Sequence, residues 1–204
     1  MGLISNGTTI FDAGAMASGF GGSMVFIKKL TASSSANLSF VDGASSVVLD
    51  STYKEYLFTF KNIHPQNNAT RLKFNVSIDA GSNYNVAKTS TMFNAYHNEG
   101  DSGAALAYET GTDSAQATGT EHLGNDTSNA NDSCMGGYLH LFNPASTTFV
   151  KHFISRAATL ANGEYAVDTY KAGYCNTTSA IDAIQFSMSS GNIDAGDICL
   201  YGIS

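Results

Sequence analysis

Histidines and carboxylates carry the most obvious chemistry in this 204-residue chain, and the histidines lack the spacing of a metal or catalytic centre. His140 and His152 alternate with aromatic residues in two predicted strands, while His64 and His97 stand apart. No H-x-H or H-E-x-x-H spacing occurs, so the local pattern by which two imidazoles bind one zinc ion is missing. Neutral histidine packs well at the half-buried surface of a sheet, and we assign these rings structural roles. The sequence predicts no metal site.

Carboxylates concentrate in one long excursion, residues 100–131, which interrupts the strand rhythm of the chain. Two carboxylates at a suitable separation would hydrolyse a glycosidic bond, and Asp126 with Asp132 could bind calcium, although the D-x-D-x-D-G spacing is absent. Loops of this length in a compact domain are usually functional or interfacial. We therefore expect a ligand or partner surface here rather than catalysis. Its candidate residues are Tyr96, Tyr108, Glu109, Glu121 and Asp126.

Motifs that build other active sites do not occur in the sequence. There is no G-x-S-x-G, no G-x-x-x-x-G-K and no G-x-G-x-x-G. Cys134, Cys175 and Cys199 lie far apart without C-x-x-C spacing, which indicates small apolar residues of a protein assembled in a reducing cytoplasm. We predict no catalytic residue, no cofactor and no enzymatic activity.

The charge and composition of the chain argue against nucleic acid and anionic membranes as partners. The net charge is −7 with only 10 lysines and arginines, and these form no cluster, so neither nucleic acid nor an anionic membrane is an expected partner. No apolar run is long enough to cross a membrane, and the N-terminus lacks the features of a secretory signal. Charged residues make up 13% of the chain, which leaves the polar surface to Ser, Thr, Asn and Gly, as in turn-rich β-proteins.

Alternation of apolar and polar residues begins at residue 23 and predicts about ten strands with almost no helix. Residues 54–63 and 70–78 are predicted to pair as a hairpin, with Asn75 and Ser77 facing solvent and Ile78 facing the core. Residues 137–143 and 147–155 form a second predicted hairpin, and 196–203 complete a sheet. We predict an all-β fold: an antiparallel β-sandwich, jelly-roll-like, over residues 23–204.

Residues 1–22 are rich in Gly and Ala and show no sustained period, which predicts an extended N-terminal arm. An arm of this kind is held in place when it contacts a neighbouring subunit. Its apolar side chains are the candidate assembly residues: Ile4, Ile10, Phe11, Met16 and Phe20.

Three stretches, "YKEYLFTFKNIHP", "LHLFNPASTTFVKHF" and "GYCNTTSAIDAIQFSMSSGNIDAGDICLYGI", give the chain a resemblance to small virion structural proteins of tailed bacteriophages, notably marine ones. The resemblance runs from about residue 22 to the C-terminus. It implies a β-sandwich scaffold and a place in the virion, assembled in the host cytoplasm, and it implies no reaction and no site residues.

The resemblance and the composition lead to one expected function with open alternatives. We expect a non-enzymatic tail-fibre or tail-associated adhesion subunit, assembled through its arm with copies of itself, as a trimer, and with other virion proteins. The alternatives are a capsid decoration protein and a module that binds host surface glycan through Tyr and Asn side chains of the 100–131 excursion. A third alternative is a depolymerase that cleaves host polysaccharide.

Overall fold

The computed structural model describes residues 3–12, 15–16 and 23–204, and the described chain folds entirely as strands and their connections. The strands of the first half are β1 Leu3–Ser5, β2 Thr8–Asp12, β3 Ala15–Met16, β4 Met24–Ser35, β5 Leu38–Val41, β6 Glu55–Pro65, β7 Leu72–Ser77 and β8 Lys88–Asn98. Those of the second half are β9 Ala104–Tyr108, β10 Ser114–Ala117, β11 Glu121–His122, β12 Met135–Phe142, β13 Lys151–Ala161, β14 Tyr165–Cys175, β15 Ala183–Met188 and β16 Ile193–Ile203.

Two antiparallel sheets form the sandwich. The larger has nine strands in the order β10-β8-β14-β13-β12-β6-β16-β4, with β9 also paired to β8, and the smaller has the order β11-β7-β15-β5. The predicted all-β sandwich is confirmed, whereas this strand order does not establish a jelly roll. The predicted hairpin of β12 and β13 is also confirmed, with a connection over residues 143–150 that is longer than expected.

Aromatic side chains fill the space between the sheets at one end of the sandwich. Phe40, Phe58 and Phe186 pack edge to face or tilted with ring centroids 5.4–6.2 Å apart, and Phe74 meets Phe153 at 5.2 Å. All five rings are fully buried. Because each comes from an inward position of an alternating strand, this end of the core follows the sequence pattern directly.

The predicted hairpin of residues 54–63 with 70–78 is wrong. Strand β6 pairs with β12 and β16 in the large sheet, whereas β7 pairs with β11 and β15 in the small one. Both strands carry an apolar face, but alternation alone does not tell whether two such faces lie side by side or opposite each other. Here the two strands belong to different sheets, so residues 66–71 cross between the sheets.

The orientation predicted for the end of β7 is also wrong. Asn75 and Ser77 are buried, and Ile78 is 42% exposed. The Asn75 amide donates to the carbonyls of Tyr84 and Thr118 at 2.6 and 3.0 Å, because two loops cover the face of β7 that was expected to meet water.

The N-terminal segment forms a third sheet, in the antiparallel order β1-β2-β3. A single extended arm is therefore not confirmed, since the described residues pair with one another. Ile4 is 60% exposed on β1. Phe20 and the side chains of Ile10, Phe11 and Met16 lie outside the described residues, so their role in assembly stays a prediction.

The small sheet holds a half-buried histidine whose titration couples to folding. Burial, followed by the nearby charges of Arg71, Lys171 and Lys73, lowers the pKa of His122 to about 4, and its Nδ1 is buried without a hydrogen-bond partner. An unfolded histidine titrates near 6.5, so between pH 6.5 and 4 the unfolded state binds more protons. Stability is therefore complete above pH 6.5 and falls as the pH drops towards 4.

We expect His122→Gln to weaken the dependence of the free energy of unfolding on pH. The wild type should lose about 1–3 kcal/mol more than the variant between pH 6.5 and 4, measured by urea unfolding at several pH values. His152→Gln, on the sheet surface, is the control and should keep the wild-type slope. Parallel pH profiles of the His122 variant and the wild type would contradict the assignment.

Candidate binding face

The outer face of the large sheet carries one row of large side chains that runs across five neighbouring strands. Strand register places Tyr108 beside Phe93, Phe93 beside Tyr170, Tyr170 beside Arg156, and Arg156 beside Tyr138. In an antiparallel sheet directly opposed residues point to the same face. These five side chains, hereafter the aromatic row, therefore form one continuous strip perpendicular to the strands.

The row is ordered by contacts among its own members and remains open to solvent. Phe93 and Tyr170 stack with centroids 5.0 Å apart and planes within 6°, and the Arg156 guanidinium lies 4.9 Å from the centre of the Tyr170 ring. Tyr108 donates from its hydroxyl to Asp113 at 2.8 Å. Phe93 is 42% exposed and Tyr108 53%. The rings thus hold fixed orientations while presenting apolar surface to water, which makes the row a candidate interaction surface.

Arg156 is fixed from its other side by a carboxylate. Its Nε and Nη2 donate to the two oxygens of Asp168 at 2.9 and 2.7 Å, a bidentate pair. These hydrogen bonds hold the pKa of the Asp168 carboxyl below its usual range. Asp168 is therefore ionised at neutral pH and keeps acceptor capacity for a ligand hydroxyl beside the apolar rings.

Three small residues and Asp168 occupy the next outward position along four of these strands, two residues from the row, and create a trough beside it. Gly136, Ala158, Asp168 and Ala95 lie opposite one another in successive strands. The trough has a volume of about 800 Å³, and Tyr138 and Arg156 also line it. Its floor is low because glycine and alanine carry almost no side chain, so an elongated ligand can lie along it.

A smaller pocket of about 240 Å³ adjoins the trough and contains two of the predicted ligand residues. Tyr96 lines both cavities, and its ring meets that of Tyr165 edge to face at 5.7 Å. Asp126 lies in the smaller pocket and accepts from Arg71 Nε at 2.7 Å. The pocket also exposes Asn125 and Asn162, so its lining is more polar than that of the trough.

The other predicted ligand residues divide into three cases. Tyr108 belongs to the aromatic row, and Glu109 is half-buried and accepts a hydrogen bond from Asn94 at 3.1 Å. The prediction that Glu121 belongs to the ligand surface is corrected. Its side chain is buried against Lys171, with 2.5 Å between Glu121 Oε2 and Lys171 Nζ, and cannot meet a ligand from solvent. The 100–131 excursion is accordingly not a free loop, because it contributes β9, β10 and β11 to the two sheets.

Histidines and cysteines of the described residues form neither a metal-binding group nor a disulfide. His64 Nδ1 donates to the Ser133 carbonyl at 2.8 Å, and His140 Nδ1 pairs with Glu55. Among the described residues no three His, Cys, Asp or Glu side chains are grouped as a metal would require. The three cysteines are free, and burial raises the pKa of the Cys175 thiol to about 12, as expected of an apolar filler.

Five members of the face were not identified from the sequence: Phe93, Tyr138, Arg156, Asp168 and Tyr170. Apart from Tyr138, each occupies an outward position of a strand whose inward positions include polar residues, so the apolar pattern did not separate the two faces. A usable signal existed in β14, where Asp168 and Tyr170 alternate with Thr169 and Lys171. When aromatic residues alternate with a lysine on one strand, either the lysine is buried or the aromatic side chains are exposed, and both are uncommon.

The face offers stacking, apolar contact and a fixed ion pair, which are features of a binding surface. Within residues 3–12, 15–16 and 23–204 the structure has no helix long and apolar enough to cross a membrane. No known family model, curated protein or solved structure matches this chain.

Proposed function

We propose that this protein is a non-enzymatic virion adhesion subunit that binds host surface glycan on the aromatic row and its trough. The observation that carries the glycan part is the register-aligned strip of Tyr108, Phe93, Tyr170, Arg156 and Tyr138 on an open sheet face. The virion part rests on the resemblance of three sequence stretches to phage structural proteins.

Carbohydrate fits this face better than other ligands for chemical reasons. Sugar rings present apolar C–H faces that stack on aromatic side chains, and hydroxyls that pair with fixed polar groups. The row supplies the rings, while Arg156 and Asp168 supply a donor and an acceptor held 2.7–2.9 Å apart. A trough of about 800 Å³ accommodates several sugar units in line. The net charge of −7 favours neutral glycans over strongly acidic ones.

We expect Tyr170→Ala combined with Tyr138→Ala to abolish most glycan binding. Each lost aromatic contact is worth about 0.5–1.5 kcal/mol, and about 1.4 kcal/mol corresponds to a factor of ten. Two lost contacts amount to about 1–3 kcal/mol, so the double variant should bind about 5- to 150-fold more weakly on an array of bacterial surface glycans. Phe149→Ala is the matched control, because this ring is 68% exposed but lies outside the row.

Two outcomes would contradict glycan binding on the aromatic row. Binding retained by the double variant, with its folding verified by thermal unfolding, would exclude the aromatic row as the glycan site. Absence of any glycan binding by the wild type, together with sedimentation that shifts to smaller species in the double variant, would show that the face joins copies of this chain.

Position in the particle separates the tail role from capsid decoration. Electron microscopy with labelled protein should place it at the tail, as the adhesion role requires. A uniform coat over the head would establish the decoration role instead.

A further inference from the structure

We propose that Lys88 and Asn75 form an intramolecular isopeptide bond between the lysine side-chain nitrogen and the asparagine side-chain carbon. Lys88 Nζ lies 2.6 Å from Asn75 Oδ1. A carbonyl bond is about 1.23 Å long, so Nζ is less than about 4 Å from Cγ. That separation approaches the roughly 3–3.5 Å at which held groups react.

Both side chains are removed from water. Lys88 is 0% exposed and Asn75 3%. The Lys88 ammonium has only neutral oxygens within hydrogen-bond distance, those of Asn75 and of the Val86 carbonyl at 2.7 Å. Burial therefore lowers the pKa of Lys88, although Cys175 and Glu121 act in the opposite direction. A lower pKa increases the fraction of neutral amine, which is the form that acts as a nucleophile.

The Asn75 amide is oriented for attack and for loss of its nitrogen. The Val76 N–H donates to Oδ1 at 2.9 Å and can stabilise negative charge on that oxygen during attack. Nδ2 faces three carbonyls, those of Tyr84, Thr118 and Gly119, at 2.6, 3.0 and 3.3 Å. An amide nitrogen has two hydrogens, whereas departing ammonia has three. Three acceptors therefore match the leaving group better than the starting amide.

The reaction balances without a co-reactant. The lone pair of neutral Lys88 Nζ forms the new bond to Cγ, and one Nζ hydrogen passes to Nδ2. The Cγ–Nδ2 bond then breaks and ammonia leaves, while the second Nζ hydrogen remains on the new amide. No oxidation or reduction takes place.

The other buried lysines show what is particular to Lys88. Lys171 pairs with the Glu121 carboxylate, and Lys151 donates to the carbonyls of Thr177 and Ser179 at 3.0 and 2.6 Å. Neither has a side-chain amide as a hydrogen-bond partner in the described chain, so neither is placed to form such a bond.

Intact mass of the denatured wild-type protein is the primary test. The bond predicts a mass lower than that of the sequence by one ammonia. Trypsin should fail to cleave after Lys88, and the next lysine or arginine is Lys151, so residues 74–151 should be released as one piece. A full sequence mass with normal cleavage after Lys88 overturns the proposal, whatever the variants do.

Three variants establish which atoms react. Lys88→Arg should restore the full mass, and Asn75→Asp should lose water in place of ammonia, since its leaving group is a hydroxyl. Lys151→Met is the matched control and should still lose ammonia. Loss of ammonia that persists in Lys88→Arg would point to a cyclised asparagine elsewhere and would contradict the bond.

Discussion

Glu121→Ala is expected to lower the free energy of unfolding by about 3–5 kcal/mol, because it leaves a buried charge without its partner. Glu121 Oε2 accepts from Lys171 Nζ at 2.5 Å and from Ser90 Oγ at 2.7 Å. After truncation, Lys171 retains the Thr112 carbonyl at 2.7 Å and Ser90 Oγ at 3.4 Å, both neutral. The remaining ammonium must either stay charged in the core or lose its proton, and both alternatives are costly.

Urea unfolding at pH 7 measures this loss of stability. Two further variants test whether the unpaired buried charge is its cause. Glu109→Ala removes a half-buried carboxylate of the same excursion whose hydrogen-bond partner is the neutral Asn94, and it should cost about 1 kcal/mol or less. Glu121→Met with Lys171→Met removes both charges and should recover much of the stability. A loss below about 1 kcal/mol in Glu121→Ala would mean that water reaches the pair.

Glu121 also shows where sequence-based prediction ends for this fold. The sequence places it in an acidic, glycine-rich stretch, and such stretches are usually exposed. Its burial depends on Lys171, which lies 50 residues later in the chain, and on the pairing of β11 with β7. Neither contact leaves a local pattern, so the residue could be named as chemically interesting but not assigned to the core.

The two ends of the sandwich differ in how well alternation predicts them. In β6, alternation places Tyr56, Phe58 and Phe60 on one face, and all three are buried. In β8 and β14 the inward positions include Lys88 and Lys171. Alternation shows that such strands have two faces, but the inner face there mixes polar and apolar residues, so the pattern does not tell which face is buried. The aromatic row was missed for this reason.

Gly196→Ala is expected to lower the free energy of unfolding by about 2 kcal/mol or more, through strain and collision together. Gly196 has φ +117°, a conformation that residues with a Cβ rarely adopt. An added Cβ would lie 2.6 Å from the Asn62 carbonyl oxygen and 2.8 Å from Ile63 Cα. Both atoms are backbone of β6, so no side-chain rotation relieves the contact.

The position of β16 explains why this glycine matters more than a turn glycine. The strand lies between β6 and β4 inside the large sheet, and its pairing with β6 shifts register on either side of Ala195. Residues 196–203 were predicted to complete a sheet. They belong to β16, which lies between two other strands of the large sheet, and Gly196 lies at the register shift between β16 and β6. Relief of the collision would have to separate β16 from β6.

Gly43→Ala separates the two contributions to this loss. Gly43 has φ +73° but meets no atom within 4 Å of an added Cβ, so it carries conformational strain without collision. It should cost about 1 kcal/mol, and the excess for Gly196→Ala measures the β6 contact. Equal losses for the two variants would mean that β16 and β6 separate freely at this point.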